Sequence, residues 1–262
     1  MVVKSYQGKF KSINIERSKE NKGSARNTID GINKVLSRYE TVIDIEEDIQ
    51  VSQNFLEYMN LALVRYQNNK KVFHINGYNF QVEINSGFDC IFLRNMICWG
   101  WGTWKNKWEE FINNQAYRDP VYLNKTFPQE RRNHMDMNLK FSPNWSQIRL
   151  NEKSKISTWA IFWYCFIVSN NGLCLTPKES LVRNIGHDKS GENCGFNFDI
   201  QNAEISQKSI IRFPDHIKED SYALDAIRSF YKKENKLSTK IKRKLFYYFV
   251  LVKRNLGLLE GE

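Results

Sequence analysis

The chain reads as an α/β protein, and three observations say so. Apolar runs of strand length alternate with segments whose apolar residues recur every three to four positions. Turn-forming residues separate these runs. The 262 residues are 41% hydrophobic and 14% aromatic, which suits a packed core of one large domain or two small ones and lies far from disordered compositions.

Taken in order, residues 9–15 read as a short strand. Glu20-Asn21-Lys22-Gly23-Ser24 is a turn, and Ser24 or Asn27 is placed to cap a helix running to about residue 39. That helix gathers Ile29, Ile32, Val35 and Leu36 on one face. Residues 41–49 form an apolar strand that runs into carboxylates, with Asp44, Glu46 and Asp48 two apart. On a strand this spacing puts all three on one face. Residues 54–66 make a second amphipathic helix carrying Phe55, Met59, Leu61, Leu63 and Val64, and residues 71–75 a strand ending at Asn76-Gly77. Strand–helix–strand–helix–strand predicts one layer with parallel strands, and such sheets bind ligands at strand carboxyl ends. Residues 159–168 read as an aromatic core helix stopped by Asn171-Gly172. Leu173-Cys174-Leu175 is then a strand leading to Pro177, and residues 179–194 are a polar loop holding His187 and Asp188.

Packed carboxylates repel, and a buried one is costly unless it is paired or bound to a cation. Mg²⁺ or Mn²⁺ would relieve the strain at Asp44, Glu46 and Asp48, since hard cations prefer oxygen ligands and also hold substrate phosphates. A solvated acidic loop tip is the other reading, and the acid cluster alone leaves both open. Residues 98–108 hold four of the seven tryptophans (Trp99, Trp101, Trp104 and Trp108), interleaved with glycine. Flat indoles on a flexible backbone suit stacking on a sugar ring or a base, while two or three of the four fit an aromatic core. Asp188 fits a general base or an acceptor contact, or else a turn residue.

The net charge of +10 is concentrated between Arg228 and Arg254, where Glu234 stands against a long series of lysines and arginines. This divides the chain into residues 1–227, an α/β domain, and residues 228–262, a basic amphipathic helical segment. The apolar run at residues 245–252 is far short of the ~20 residues that span a bilayer. It suits an anionic membrane surface, or a last helix packed on the core with a solvated basic face. No nucleic-acid motif accompanies the charge, which argues against that partner. The five cysteines show no CxxC pair or zinc spacing and read as reduced thiols of a cytoplasmic protein, peripheral on the inner membrane face if the basic segment binds lipid.

Several segments together carry a family resemblance. Residues 20–27, followed by Glu46-Glu47-Asp48, resemble the middle of glycosyltransferase family 2 domains, where a similar segment precedes the acidic metal motif. Residues 45–60, His74-Ile75-Asn76-Gly77-Tyr78, residues 98–104 and residues 177–191 are similar, in the same order, to segments of bacterial sugar transferases of the N-acetylglucosaminyltransferase I-like group. The resemblance covers about residues 10–195. It implies a GT-A fold, a Rossmann-like, mostly parallel sheet flanked by helices. It also implies metal-dependent transfer of a sugar from a nucleotide-sugar donor, a UDP-sugar foremost, to a glycan or lipid-linked acceptor in bacterial surface polysaccharide synthesis.

Carried onto this chain, the resemblance makes Asp48 the metal ligand for Mn²⁺ or Mg²⁺. Gly23, Arg26, Asn27, Glu46 and Glu47 become donor-binding residues. Trp99 and Trp101 become a loop that closes over the donor sugar, and Asp188 the catalytic base. The place where animal relatives carry their base corresponds to Thr158 before Trp159, and a threonine cannot serve. The family's first βαβ unit, which holds the nucleotide base, has no counterpart here, and Glu47 stands where the family has Asp. The alternative expectation is therefore a weakly active or non-catalytic remnant acting as a scaffold at the membrane.

Overall fold

The computed structural model describes residues 10–186, 204–239 and 241. In chain order the elements are α1 (Ser24–Leu36), β1 (Thr41–Asp44), β2 (Ile49–Val51), α2 (Phe55–Tyr66), β3 (Val72–Asn76), β4 (Cys90–Leu93), β5 (Trp101–Trp104), α3 (Lys105–Asn113), a 3₁₀ turn (Gln115–Arg118), α4 (Pro120–Thr126), α5 (Gln129–Met135), α6 (Trp145–Glu152), α7 (Ala160–Ser169), β6 (Leu173–Pro177), β7 (Val182–Asn184) and α8 (Ser221–Glu234).

The expected α/β class holds, but the mostly parallel sheet does not. The main sheet has five strands in the order β1-β5-β3-β6-β4. Only β3 and β6 pair in parallel, while β1–β5, β5–β3 and β6–β4 are antiparallel. The reason is β5. Residues 101–104, expected in a loop, form a strand that inserts between β1 and β3, so strands that follow each other in sequence are not neighbours. Because β1 and β3 both oppose β5, the strands β1, β3 and β6 still run one way. Their carboxyl ends carry Asp44, Asn76 and Pro177. Strand β1 is an edge strand, and its outer side pairs with no described strand.

Other boundaries shift for physical reasons. Residues 10–15 form no strand, and Phe10 and Ile15 are exposed with no described strand to pair against. Helix α1 starts after Gly23 at φ 71° with no side-chain cap, so neither Ser24 nor Asn27 caps it. Instead the Asn21 side-chain Oδ1 accepts the Gly23 N–H at 2.9 Å. The acidic strand stops at Asp44. Residues 45–48 turn, and Ile49 opens β2, which pairs with β7 as a separate two-stranded sheet. Helix α8 crosses the expected domain boundary at residue 228. It is capped by Asp220, whose carboxylate accepts the Ala223 N–H at 3.0 Å, and it buries Ala223, Leu224 and Ile227.

The core sits on both faces of the sheet. On one face α7 buries every residue from Ile161 to Val168, and Trp101, Trp108, Trp159 and Trp163 meet with ring centroids 5.3–6.5 Å apart. A bulge between Val72 and His74 lets both Phe73 and His74 reach Trp163 on this side. On the other face α2 packs Phe55, Tyr58, Met59, Ala62 and Leu63 against Ile75 and Leu175. Gly77 and Gly100 lie beneath Phe55 and Val182, where a Cβ would strike the Gly100 carbonyl or these side chains.

Candidate functional site

Four carboxylates follow one another at and just past the end of β1, near enough for the charges of Asp44, Asp48 and Glu47 to act on Glu46. Asp44 ends the strand, and its Oδ2 accepts the Trp101 indole N–H at 3.0 Å. Burial raises its pKa, and the indole bond opposes that shift. Glu46 lies in the turn. Burial, then the charges of Asp44, Asp48 and Glu47, push it up to about 7, so near neutral pH it shares a proton with solvent. Glu47 is exposed. Asp48 is held through its backbone, which accepts the Ile185 N–H at 2.8 Å. Its Oδ1 is buried and has no hydrogen-bond partner among the described residues. A buried carboxylate oxygen left unbonded costs on the order of 1–3 kcal/mol. Gly186 packs so closely on this carboxylate that a Cβ there would collide with it.

Beneath the carboxylates lies a buried polar network. His74 stacks on Trp101 at 4.7 Å and 7°. Its Nε2 donates to the Ile97 carbonyl at 3.0 Å, and its Nδ1 accepts the Trp163 indole N–H at 3.2 Å. Burial lowers its pKa to about 3, so the ring is neutral and spacing-filling rather than a titrating base. Asn76 donates to the Asn95 carbonyl at 2.9 Å and to Thr176 at 2.8 Å, and accepts the Ile97 N–H at 2.9 Å. The network thus pins residues 95–97, which lead into Cys98 and Trp99.

A cavity of about 390 Å³ adjoins this segment, bounded by Met96 to Trp99, by Tyr78 and Phe80 after β3, and by residues of α6, α7 and α8. Cys98 links the two features. It lines the cavity, and its thiol is raised first by burial and then by the charges of Glu46, Asp44 and Asp48.

The residues expected at the site divide as follows. Asp48, Glu46 and Glu47 come together. Trp101 does not form a lid: it is fully buried in β5 and braces Asp44 from below. Trp99 is half-buried at the cavity, edge-to-face with Tyr78 at 4.7 Å and 76°. Gly23, Arg26 and Asn27 lie at the start of α1. Arg26 and Asn27 are exposed, and no hydrogen bond among the described residues joins them to the carboxylates. Asp188, with His187, lies outside the described residues, as do Cys194 and nearly all of the basic segment beyond residue 239. Sequence reasoning missed Asn76, Cys98, Gly186 and the contribution of α8. Each of the three residues lies in a segment that carries the resemblance, Asn76 in residues 74–78, Cys98 in residues 98–104 and Gly186 in residues 177–191.

Among the described residues, no group of three His, Cys, Asp or Glu side chains is gathered to cage a metal ion. The donor set fits a different kind of site, one carboxylate with an unsatisfied oxygen completed by phosphates and water, as Mg²⁺ commonly adopts. The four described cysteines are free thiols, and no helix among the described residues is long and apolar enough to cross a membrane. Comparison of the chain with protein-family models and with curated proteins finds no match.

Proposed function

We propose that this protein is a GT-A-type glycosyltransferase that moves a sugar from a nucleotide-sugar donor, a UDP-sugar foremost, to a glycan or lipid-linked acceptor in bacterial surface polysaccharide synthesis. The observation that carries the reading is Asp48. Its buried, unpartnered oxygen sits among Asp44, Glu46 and Glu47 at a strand carboxyl end, beside an aromatic cavity. Bound Mn²⁺ or Mg²⁺ would offset the charge that builds on the departing diphosphate. Asp48 would orient the donor diphosphate through that ion, with Gly186 leaving room for the carboxylate. Glu46, poised between its charged and neutral forms, would accept a bond from the ribose or from bound water. The Trp101 indole keeps Asp44 from drifting toward Asp48. Asp188 is assigned as the base that removes the acceptor hydroxyl proton, and the basic segment at 228–262 as the contact with the inner membrane face.

A second reading, a non-catalytic remnant acting as a scaffold at the membrane, is favoured by β1. That strand is an edge with no described neighbour where a nucleotide base would need one. Calorimetry on the whole chain with UDP-, GDP- and CMP-sugars, with and without Mn²⁺, separates the two. The transferase reading expects one nucleotide class to bind and to depend on the cation. Absence of binding across the panel favours the scaffold.

A further inference from the structure

The cavity beside Cys98 has chemistry of its own. At about 390 Å³ it lies at the small end of ligand cavities. Aromatic faces from Tyr78, Trp99, Tyr164 and Tyr231 line it. The Trp99 ring is fixed in orientation by Tyr78, and Tyr78 and Tyr164 are buried. Among these apolar walls stand two amides on successive turns, Asn144 before α6 and Gln147 within it. The Asn144 amide N–H is spent on the Met135 carbonyl at 2.7 Å. The Gln147 side chain has no hydrogen-bond partner among the described residues, although it is only partly exposed.

An apolar ligand would leave Gln147 unsatisfied, and Glu234 adds a carboxylate acceptor to the same wall. A pyranose satisfies both halves of the wall. Its C–H face packs on an indole or phenol ring, and its hydroxyls need an amide that both donates and accepts. None of the four carboxylates lines the cavity, while Cys98, which does, lies within reach of the charges of Glu46, Asp44 and Asp48, so a sugar seated in it would lie beside the carboxylate cluster rather than on it.

We propose that this cavity is a pyranose subsite for the acceptor, with Trp99 as the stacking platform and Gln147 as the hydroxyl-reading group. The word acceptor rests on the transferase reading, whereas the sugar binding does not. Trp99 is thereby moved from donor lid to acceptor platform.

The test is saturation-transfer NMR on the full chain with methyl β-glucoside, methyl β-galactoside and methyl β-N-acetylglucosaminide, in the absence of nucleotide and divalent cation. At least one glycoside is expected to show transfer strongest at the protons of one ring face. Trp99→Ala and Gln147→Ala are each expected to weaken that binding about fivefold or more. Gln147 is on a helix surface, so its variant keeps the fold if Trp99→Ala does not, and circular dichroism confirms which spectra count. Silence from all three glycosides, or unchanged binding in a folded Gln147→Ala chain, overturns the proposal. A separate run with the UDP-linked sugar, if it alone shows transfer while the free glycosides stay silent, also overturns the proposal by making the cavity a donor pocket. Because neither nucleotide nor metal is present, failure here is distinct from failure of the Asp48 site.

Discussion

At the residue scale, His74 and Gly186 carry different burdens. His74 has its full complement of partners, so its imidazole remains neutral in the fold down to about pH 3. In the unfolded chain it protonates near 6.5. As pH falls below 6.5 the unfolded state therefore takes up a proton that the native state refuses, and stability declines from there toward pH 3. Urea denaturation at pH 7 and pH 4.5 is expected to show a larger loss for the wild-type chain than for His74→Gln, and an equal loss in both would contradict the assignment. His74→Ala, which opens a cavity beneath Trp101 and orphans the Trp163 N–H, is expected to cost about 3 kcal/mol. Gly186→Ala is a subtler change. The added methyl must displace the Asp48 carboxylate, so nucleotide binding in Mn²⁺ is expected to fall at least tenfold while the thermal midpoint moves by no more than a few degrees, as calorimetry and circular dichroism would show.

At the scale of elements, α8 is both a core helix and a cavity wall. Its cap and its buried face are separable. Asp220→Ala removes the bond to the Ala223 N–H and is expected to cost about 1 kcal/mol. Ile227→Ala empties a fully buried position and is expected to cost roughly 2–4 kcal/mol. Chemical denaturation of the two variants should rank them in that order. The basic segment belongs to the same scale. A chain ending at Thr239 keeps α8, and it is expected to stay folded but no longer to float with anionic vesicles, whereas the full chain is expected to float with them. Unchanged flotation would remove the membrane role from that segment. Helices α2 and α7 were legible from the sequence because packing and periodicity agree there. Strand β5 was not legible. Trp101-Gly102-Thr103-Trp104 carries two bulky indoles and a glycine, a pattern that local rules assign to a loop, and its strand state depends on β1 and β3 closing around it from distant parts of the chain.

At the scale of the whole molecule, the sheet explains both what was read correctly and what was not. The alternation of strand and helix gives the α/β class, but pairing is a long-range property, and one inserted strand turns an expected parallel layer into a mostly antiparallel one. The site shows the same division. Asp48, Glu46 and Glu47 are neighbours in sequence, so their convergence was visible, although a turn rather than one strand face produces it. Gly186 and Cys98 reach the carboxylates only through β7 and the pinned residues 95–97, and nothing local announces either contact. In the proposed transferase the buried oxygen of Asp48 would hold a cation that carries the nucleotide diphosphate. Isothermal calorimetry of UDP with Mn²⁺, on the wild-type chain and on Asp48→Ala, tests it most directly. Cation-dependent binding to the wild type and none to the variant is expected. Equal affinity in the two chains, or binding indifferent to Mn²⁺, would contradict it.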